Sequence, residues 1–243
     1  MSEETEDNFT KGIFWELYKD LERQFQDFLE YVPYLPGNEA VYSVKLLNLI
    51  LSVGGHIDSA FKEMARYPKF SSNDDCKDIL EKVKKKQTVP ITLPLKAFET
   101  EYTLSEKTII FKRLPERQNV RPFKPRSARA QSPKWWKIYN GIKHDVGVNI
   151  KEANLQTTRD ALAGAFLLNA VHYPSVFRLY EYGVLEEMTY EEVSYGTVQR
   201  YFYDLKWIKQ KYEKEGKLPT LLETPLFIYE YGGWGDEPYE WAT

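Results

Sequence analysis

The chain has 243 residues, 42% of them hydrophobic and 15% aromatic, enough for one large domain or two small ones with a sizeable core. Its net charge of −3 excludes a global pull toward nucleic acid, and its one cysteine, Cys76, excludes intramolecular disulfides and cysteine-based zinc sites. Residues 1–8 are acidic, without a leader-peptide pattern, and no apolar run is long enough to span a bilayer, so a cytoplasmic protein off the membrane is expected.

In chain order, residues 1–8 read as a disordered acidic lead. Phe14, Leu17, Leu21, Phe25, Phe28 and Leu29 recur at helical spacing and predict a first helix to about residue 31. Pro33, Pro36 and Gly37 break it. Val41, Val44, Leu47, Leu51 and Ile57 predict a second helix over about 39–66, and Gly54-Gly55 in its middle should kink it or admit a neighbouring backbone. The two helices form an antiparallel hairpin. A short charged helix follows over about 74–86. Residues 88–114 are rich in β-branched and aromatic side chains. They predict a β-hairpin insert with strands at 98–104 and 108–114.

Residues 115–131 read as an exposed, irregular Pro- and Arg-rich connector. A helix then starts with Ser132 as N-cap and Pro133 at its first position. Leu155, Ala161, Leu162, Ala165, Phe166, Leu168 and Ala170 predict a buried central helix of about twenty residues, and a short helix over 174–182 follows. Residues 198–212 fit a helix or a strand, 226–231 a terminal strand, and 232–241 an aromatic, acidic tail. The whole is expected to be one mainly α domain. Its helical core lies at about 10–66 and 132–182, the β insert at about 88–114, and an irregular C-terminal extension at about 183–243.

Charge is unevenly spread. From Lys112 to Lys143 there are ten Lys or Arg and one acid, Glu116, whereas the first thirty residues hold nine acids and three bases. A basic belt between acidic ends fits a polyanion, or the chain's own acidic ends. Within the belt, the 132–144 helix carries two faces. Trp135, Ile138, Ile142 and Val146 share an apolar one, while Lys137, Asn140 and His144 project from the polar one at spacings of three and four. A cation, an amide and an imidazole together fit a phosphate or scissile bond, and equally an ordinary solvated face. Trp136 lies near the polar side, where an aromatic beside cations suits single-stranded nucleic acid. Lys143, Arg121, Lys124, Arg126 and Arg129 are the candidate cations for such binding. His56 and His172 are too isolated to pair on a metal, and no metal or cofactor motif is present.

The run Trp-Trp-Lys-x-Tyr-Asn-x-x-Lys-His over 135–144, followed by an Ala/Leu-rich helix, resembles the last helices of HEPN-like proteins, α-helical domains common in prokaryotic toxin–antitoxin, abortive-infection and RNA-processing systems. The resemblance covers about residues 10–66 and 132–180. It implies an RNA-directed protein of a defence or stress system, with His144 as the acid/base of a metal-independent ribonuclease. Lys137 and Lys143 would then be phosphate contacts and Asn140 an orienting group. Active members carry an Arg separated from the His by four to six residues; here Lys137, with six residues between it and His144, stands in that range and Tyr139 precedes Asn140. Arg offers a planar fork to phosphate, Lys a point charge. The resemblance further implies a homodimer and an antitoxin or other protein partner. The alternative is a catalytically inactive helical module that binds a protein partner through the belt or the tail.

Overall fold

The computed structural model describes residues 3–67, 70, 72–112, 118–127, 131–171 and 221–230. Among them the chain is mainly helical, with one small antiparallel sheet. The expected helix at 174–182, the ambiguous segment at 198–212 and the tail at 232–241 lie outside the described residues.

Helix α1 (Glu3–Leu29) reaches back through the stretch expected to be disordered. Its buried side is Trp15, Tyr18, Leu21, Glu22, Phe25, Phe28 and Leu29. That stripe is rotated from the expected one: Leu17 is exposed, and Trp15 and Tyr18 take the inner positions. The chain turns at Gly37, whose φ of 96° lies in the left-handed region that glycine adopts freely. Helix α2 (Val44–Arg66) starts at Ser43, whose hydroxyl accepts from the Leu46 amide at 3.1 Å.

The Gly54-Gly55 pair does not break α2, which runs unbroken to Arg66. A ring, not a backbone, uses the space: a Cβ on Gly54 would lie only 2.3 Å from the Tyr139 ring, while one on Gly55 meets nothing. Helix α3 (Asp74–Lys84) is capped by Asn73, which also donates from Nδ2 to the Ala97 carbonyl at 3.3 Å and so ties α3 to the next element.

That element corrects the predicted insert. Residues 98–102 of the expected first strand belong to helix α4 (Thr92–Tyr102). Ile91, Leu95, Phe98 and Tyr102 are all buried, at spacings of four, three and four. Phe98 stacks on Phe61 at 5.9 Å and meets Phe70 edge-on at 5.0 Å. Packing against aromatic rings overrides the β preference of these residue types. Pro94 is tolerated because the first turn's amides have no intrahelical acceptor.

The predicted second strand survives as β1 (Ile109–Phe111). It pairs with β2 (Gln118–Val120), drawn from the connector, and with β4 (Phe227–Glu230); β4 also pairs with β3 (Leu221–Glu223). The sheet order is β2-β1-β4-β3, with every neighbour antiparallel. The C-terminal extension is thus regular over 221–230, where β4 matches the expected terminal strand. Phe227 faces Phe111 at 5.5 Å and stacks on Phe166 at 5.7 Å, so the sheet closes over the central helix.

Helix α5 (Lys134–His144) is followed by the short α6 (Val146–Asn149), a 3₁₀ turn (Ile150–Glu152) and α7 (Leu155–Val171). Pro133, not Ser132, is the N-cap of α5. Helix α7 is buried along nearly its whole length, as its alanines suggest. Its first amides bond backbone carbonyls of the α1–α2 loop, Leu155 to Val41 at 3.0 Å and Gln156 to Glu39 at 3.1 Å. A buried helix start needs such partners. Gly164 lets three side chains close on α7: a Cβ there would sit 3.3 Å from Trp135 and 3.4 Å from Ile57 and Phe123.

The adjacent glycines of α2 should respond oppositely to one methyl group. Gly54→Ala forces the Tyr139 ring aside and should cost about 1–3 kcal/mol. Gly55→Ala fills open space on a helix and should gain roughly 0.5–1 kcal/mol. Denaturant midpoints of the two variants test this; midpoints that shift in the same direction contradict it.

Candidate nucleic-acid interface on helix α5

Helix α5 turns two faces to different tasks. Trp135, Trp136, Ile138, Tyr139 and Ile142 are buried. The Trp135 indole donates to the Pro122 carbonyl at 2.7 Å, and Tyr139 fills the notch at Gly54. On the other side Lys134, Lys137, Lys143 and His144 are exposed and Asn140 is half-buried. No helix break separates Lys137 from His144. The Lys143 ammonium lies 5.8 Å from the centroid of the Tyr139 ring.

Two expected members of this helix's faces sit elsewhere. Trp136 is only 5% exposed, edge-on to Trp135 at 5.5 Å and tilted on Tyr139 at 4.9 Å. It is a packing residue, with no ring face offered to a base. Val146 is 45% exposed, because α5 ends at His144 and the apolar stripe ends with it.

The connector is partly built into the fold. Pro122 and Phe123 are buried, with Phe123 against Phe61 and Trp135 at 5.9 and 6.0 Å. Arg121, Lys124 and Arg126 are exposed, and the Arg126 amide reaches the Ser132 carbonyl at 3.4 Å. The basic connector is therefore fastened beside the first turn of α5. Lys124, Arg126, Lys137 and Lys143 have no ion-pair partner among the described residues. Lys112 does: it pairs with Glu223 and donates to the Thr224 carbonyl at 2.9 Å, so the belt's first cation is used inside the fold. Arg129 and His172 lie outside the described residues.

Two buried polar clusters were not foreseen. Arg159 lies between the rings of Tyr34 and Phe111, 5.2 and 5.9 Å from their centroids. Its Nε and Nη2 donate to Asp160 at 2.9 and 2.6 Å, and its Nη1 to Gln118 at 2.5 Å. Burial raises the Asp160 carboxyl above its ordinary value, and the Arg159 charge draws it back. With its donors so occupied, Arg159 pins β2 to α7 and presents no free fork to a phosphate. The second cluster joins α1 to the β3–β4 turn. Buried Glu22 accepts from the Thr224 hydroxyl at 2.5 Å and from the Leu226 amide at 3.0 Å. Burial pushes its carboxyl up, and these two hydrogen bonds oppose the rise. Both clusters carried a sequence signal: charged residues standing within apolar helical faces, Glu22 between Tyr18 and Phe25, and Arg159-Asp160 ahead of Ala161.

His56 is buried on α2, edge-on to Phe14 at 5.6 Å, with neither ring nitrogen hydrogen-bonded among the described residues. Burial alone lowers it to about 4. Among the described residues no group of three His, Cys, Asp or Glu side chains could hold a metal ion, and no helix is long and apolar enough to cross a membrane. No protein-family model, curated protein or solved structure matches the chain.

The His56 environment sets a pH dependence. The unfolded chain takes up a proton near the ordinary value of 6.5, and the folded chain resists until about 4. The His56 contribution to stability is therefore full above pH 6.5, falls by up to about 3 kcal/mol as pH drops to 4, and levels below that. His56→Leu should remove this slope. Glu22 and Asp160, raised by burial, act with the opposite sign but are common to both proteins. Denaturant midpoints of wild type and variant that fall in parallel between pH 6.5 and 4 would contradict the assignment.

Proposed function

We propose that this chain is an RNA-directed, HEPN-like protein of a prokaryotic defence or stress system, in which His144 moves a proton during metal-independent cleavage of RNA. One observation supports the reading best. Lys137, Asn140 and His144 share the solvent side of an unbroken helix, beside a basic connector whose cations have few partners. Lys137 and Lys143, with Arg121, Lys124 and Arg126, would neutralise successive phosphates. Asn140 would orient the scissile one.

The chemistry asks little of the site. An imidazole exchanges protons near neutral pH. His144 takes the proton of a ribose 2′-hydroxyl as O2′ attacks phosphorus. The bond from phosphorus to the 5′-oxygen breaks, and that oxygen receives a proton from the imidazolium or from water. The products are a 2′,3′-cyclic phosphate and a free 5′-hydroxyl. A homodimer, which would face two such helices across one groove, belongs to this reading, as does an antitoxin or other protein partner.

A second reading, an inactive helical module that binds a protein partner, draws on two observations. Lys137 stands where an Arg fork would grip phosphate, and Trp136 is buried instead of offering a stacking surface.

Binding of a labelled RNA should be weak at low salt and fall steeply as salt rises, through counterion release. Cleavage without divalent metal should leave a 2′,3′-cyclic phosphate. His144→Ala should lower its rate by about 10²- to 10⁴-fold, with stability changed by no more than about 0.5 kcal/mol. Lys137→Arg should hold or raise the rate. Absence of cleavage on varied RNAs, or an active His144→Ala, rejects the enzyme and leaves the interaction module.

A further inference from the structure

The Asn149 side chain bridges the last turn of α5. Asn149 donates from Nδ2 to the carbonyl of Gly141 at 3.0 Å and to that of Asp145 at 2.8 Å. The Gly141 carbonyl also accepts the final intrahelical bond, from the Asp145 amide at 2.8 Å. His144 lies between the two bridged carbonyls. The bridge therefore fixes both the close of the helix and the direction in which the chain leaves it, and with them the backbone from which the imidazole projects.

Position 141 is matched to this bridge. A Cβ on Gly141 would lie 3.1 Å from Cγ and Oδ1 of Asn149, tighter than ordinary contact. Glycine inside a helix costs stability relative to alanine. Here it leaves the amide room to lie against the helix backbone. Asp145 turns out of the helix at φ −150° and ψ 92°, and the bridge to its carbonyl lies at that exit.

We propose that Asn149 is a positioning residue for His144: its amide clamps the C-terminal turn of α5, and Gly141 makes the clamp fit. The catalytic consequence rests on the ribonuclease reading; the clamp itself does not. Asn149 acts through the backbone and touches no reacting atom. A misplacement of about 1 Å costs up to about 10²-fold in rate.

The test uses Asn149→Ala, Gly141→Ala and the double variant in the full chain, with two readouts. The first is amide hydrogen exchange at Asp145 and across residues 141–145, which needs no substrate. Exchange should quicken in both single variants. The second is RNA cleavage well below the denaturation midpoint. Each single variant should lose about 10- to 100-fold in kcat with KM little changed. Gly141→Ala should do so although alanine is the better helix former. The double variant should be no slower than Asn149→Ala, since its methyl meets no amide. A loss that tracks the fraction unfolded, or single losses that multiply in the double variant, would overturn the proposal. If wild type cleaves no RNA, the functional reading falls while exchange still decides the clamp. Unchanged protection at Asp145 in Asn149→Ala rejects it, and lost protection sustains it.

Discussion

The need to cover α7 on every side organises the rest of the molecule. A helix with apolar residues around its whole circumference has no face to give to water. Helices α1, α2 and α5 and strands β1 and β4 all pack against it. Small residues make that crowding feasible: Ala161, Ala163, Gly164 and Ala165 let neighbouring side chains close on the backbone. The start of α7 is sealed by the α1–α2 loop, so the first hairpin and the central helix depend on each other.

Around that centre, buried polar groups decide which parts may sit where. Arg159 binds only a partner that brings Gln118, and Glu22 only a turn that brings the Thr224 hydroxyl and the Leu226 amide. Breaking either cluster from one side strands a charge or an acceptor away from water, which costs far more than the intact interaction gains. The clusters specify geometry where apolar packing alone is tolerant. They also separate structure from candidate function: the buried guanidinium is committed to the fold, while the cations of α5 and the connector remain at the surface.

How much was legible in the sequence follows from what each segment presents. Helix α7 is buried along nearly its whole length, as its alanines and leucines suggest, whereas α2 is present but turned from the stripe read for it: Val44 is 63% exposed and Leu51 half-buried, while Leu46, Ile50 and Val53 take the inner positions. Helix α4 was hidden because threonine and aromatic residues favour strands unless a neighbour such as Phe61 or Phe70 offers a helical surface, and that neighbour is remote in sequence. The polar face of α5 was visible from spacing alone. Its limits were not. Trp136 sits at the boundary of the wheel, where packing on Trp135 and Tyr139 accompanies its burial, and Val146 lost its place because α5 ends at His144. Glu22 and Arg159 stand as charges in apolar surroundings, a signal the sequence reading passed over, and their partners, up to 204 residues away, could not be inferred locally.

The strand order has a consequence for how the molecule is made. Strand β4 is an interior strand of the sheet, between β1 and β3, yet it is the last described segment of the chain. Phe227 must pair with Phe111 across more than a hundred intervening residues. During synthesis β1 therefore waits with an open edge, and Phe166 lacks the ring that will cover it. Closure of so long a loop comes late and slowly, because its entropy is lost before the contacts form. Any nascent chain halted before residue 227 carries a bare strand and an uncovered central helix, the two surfaces a chaperone would shield.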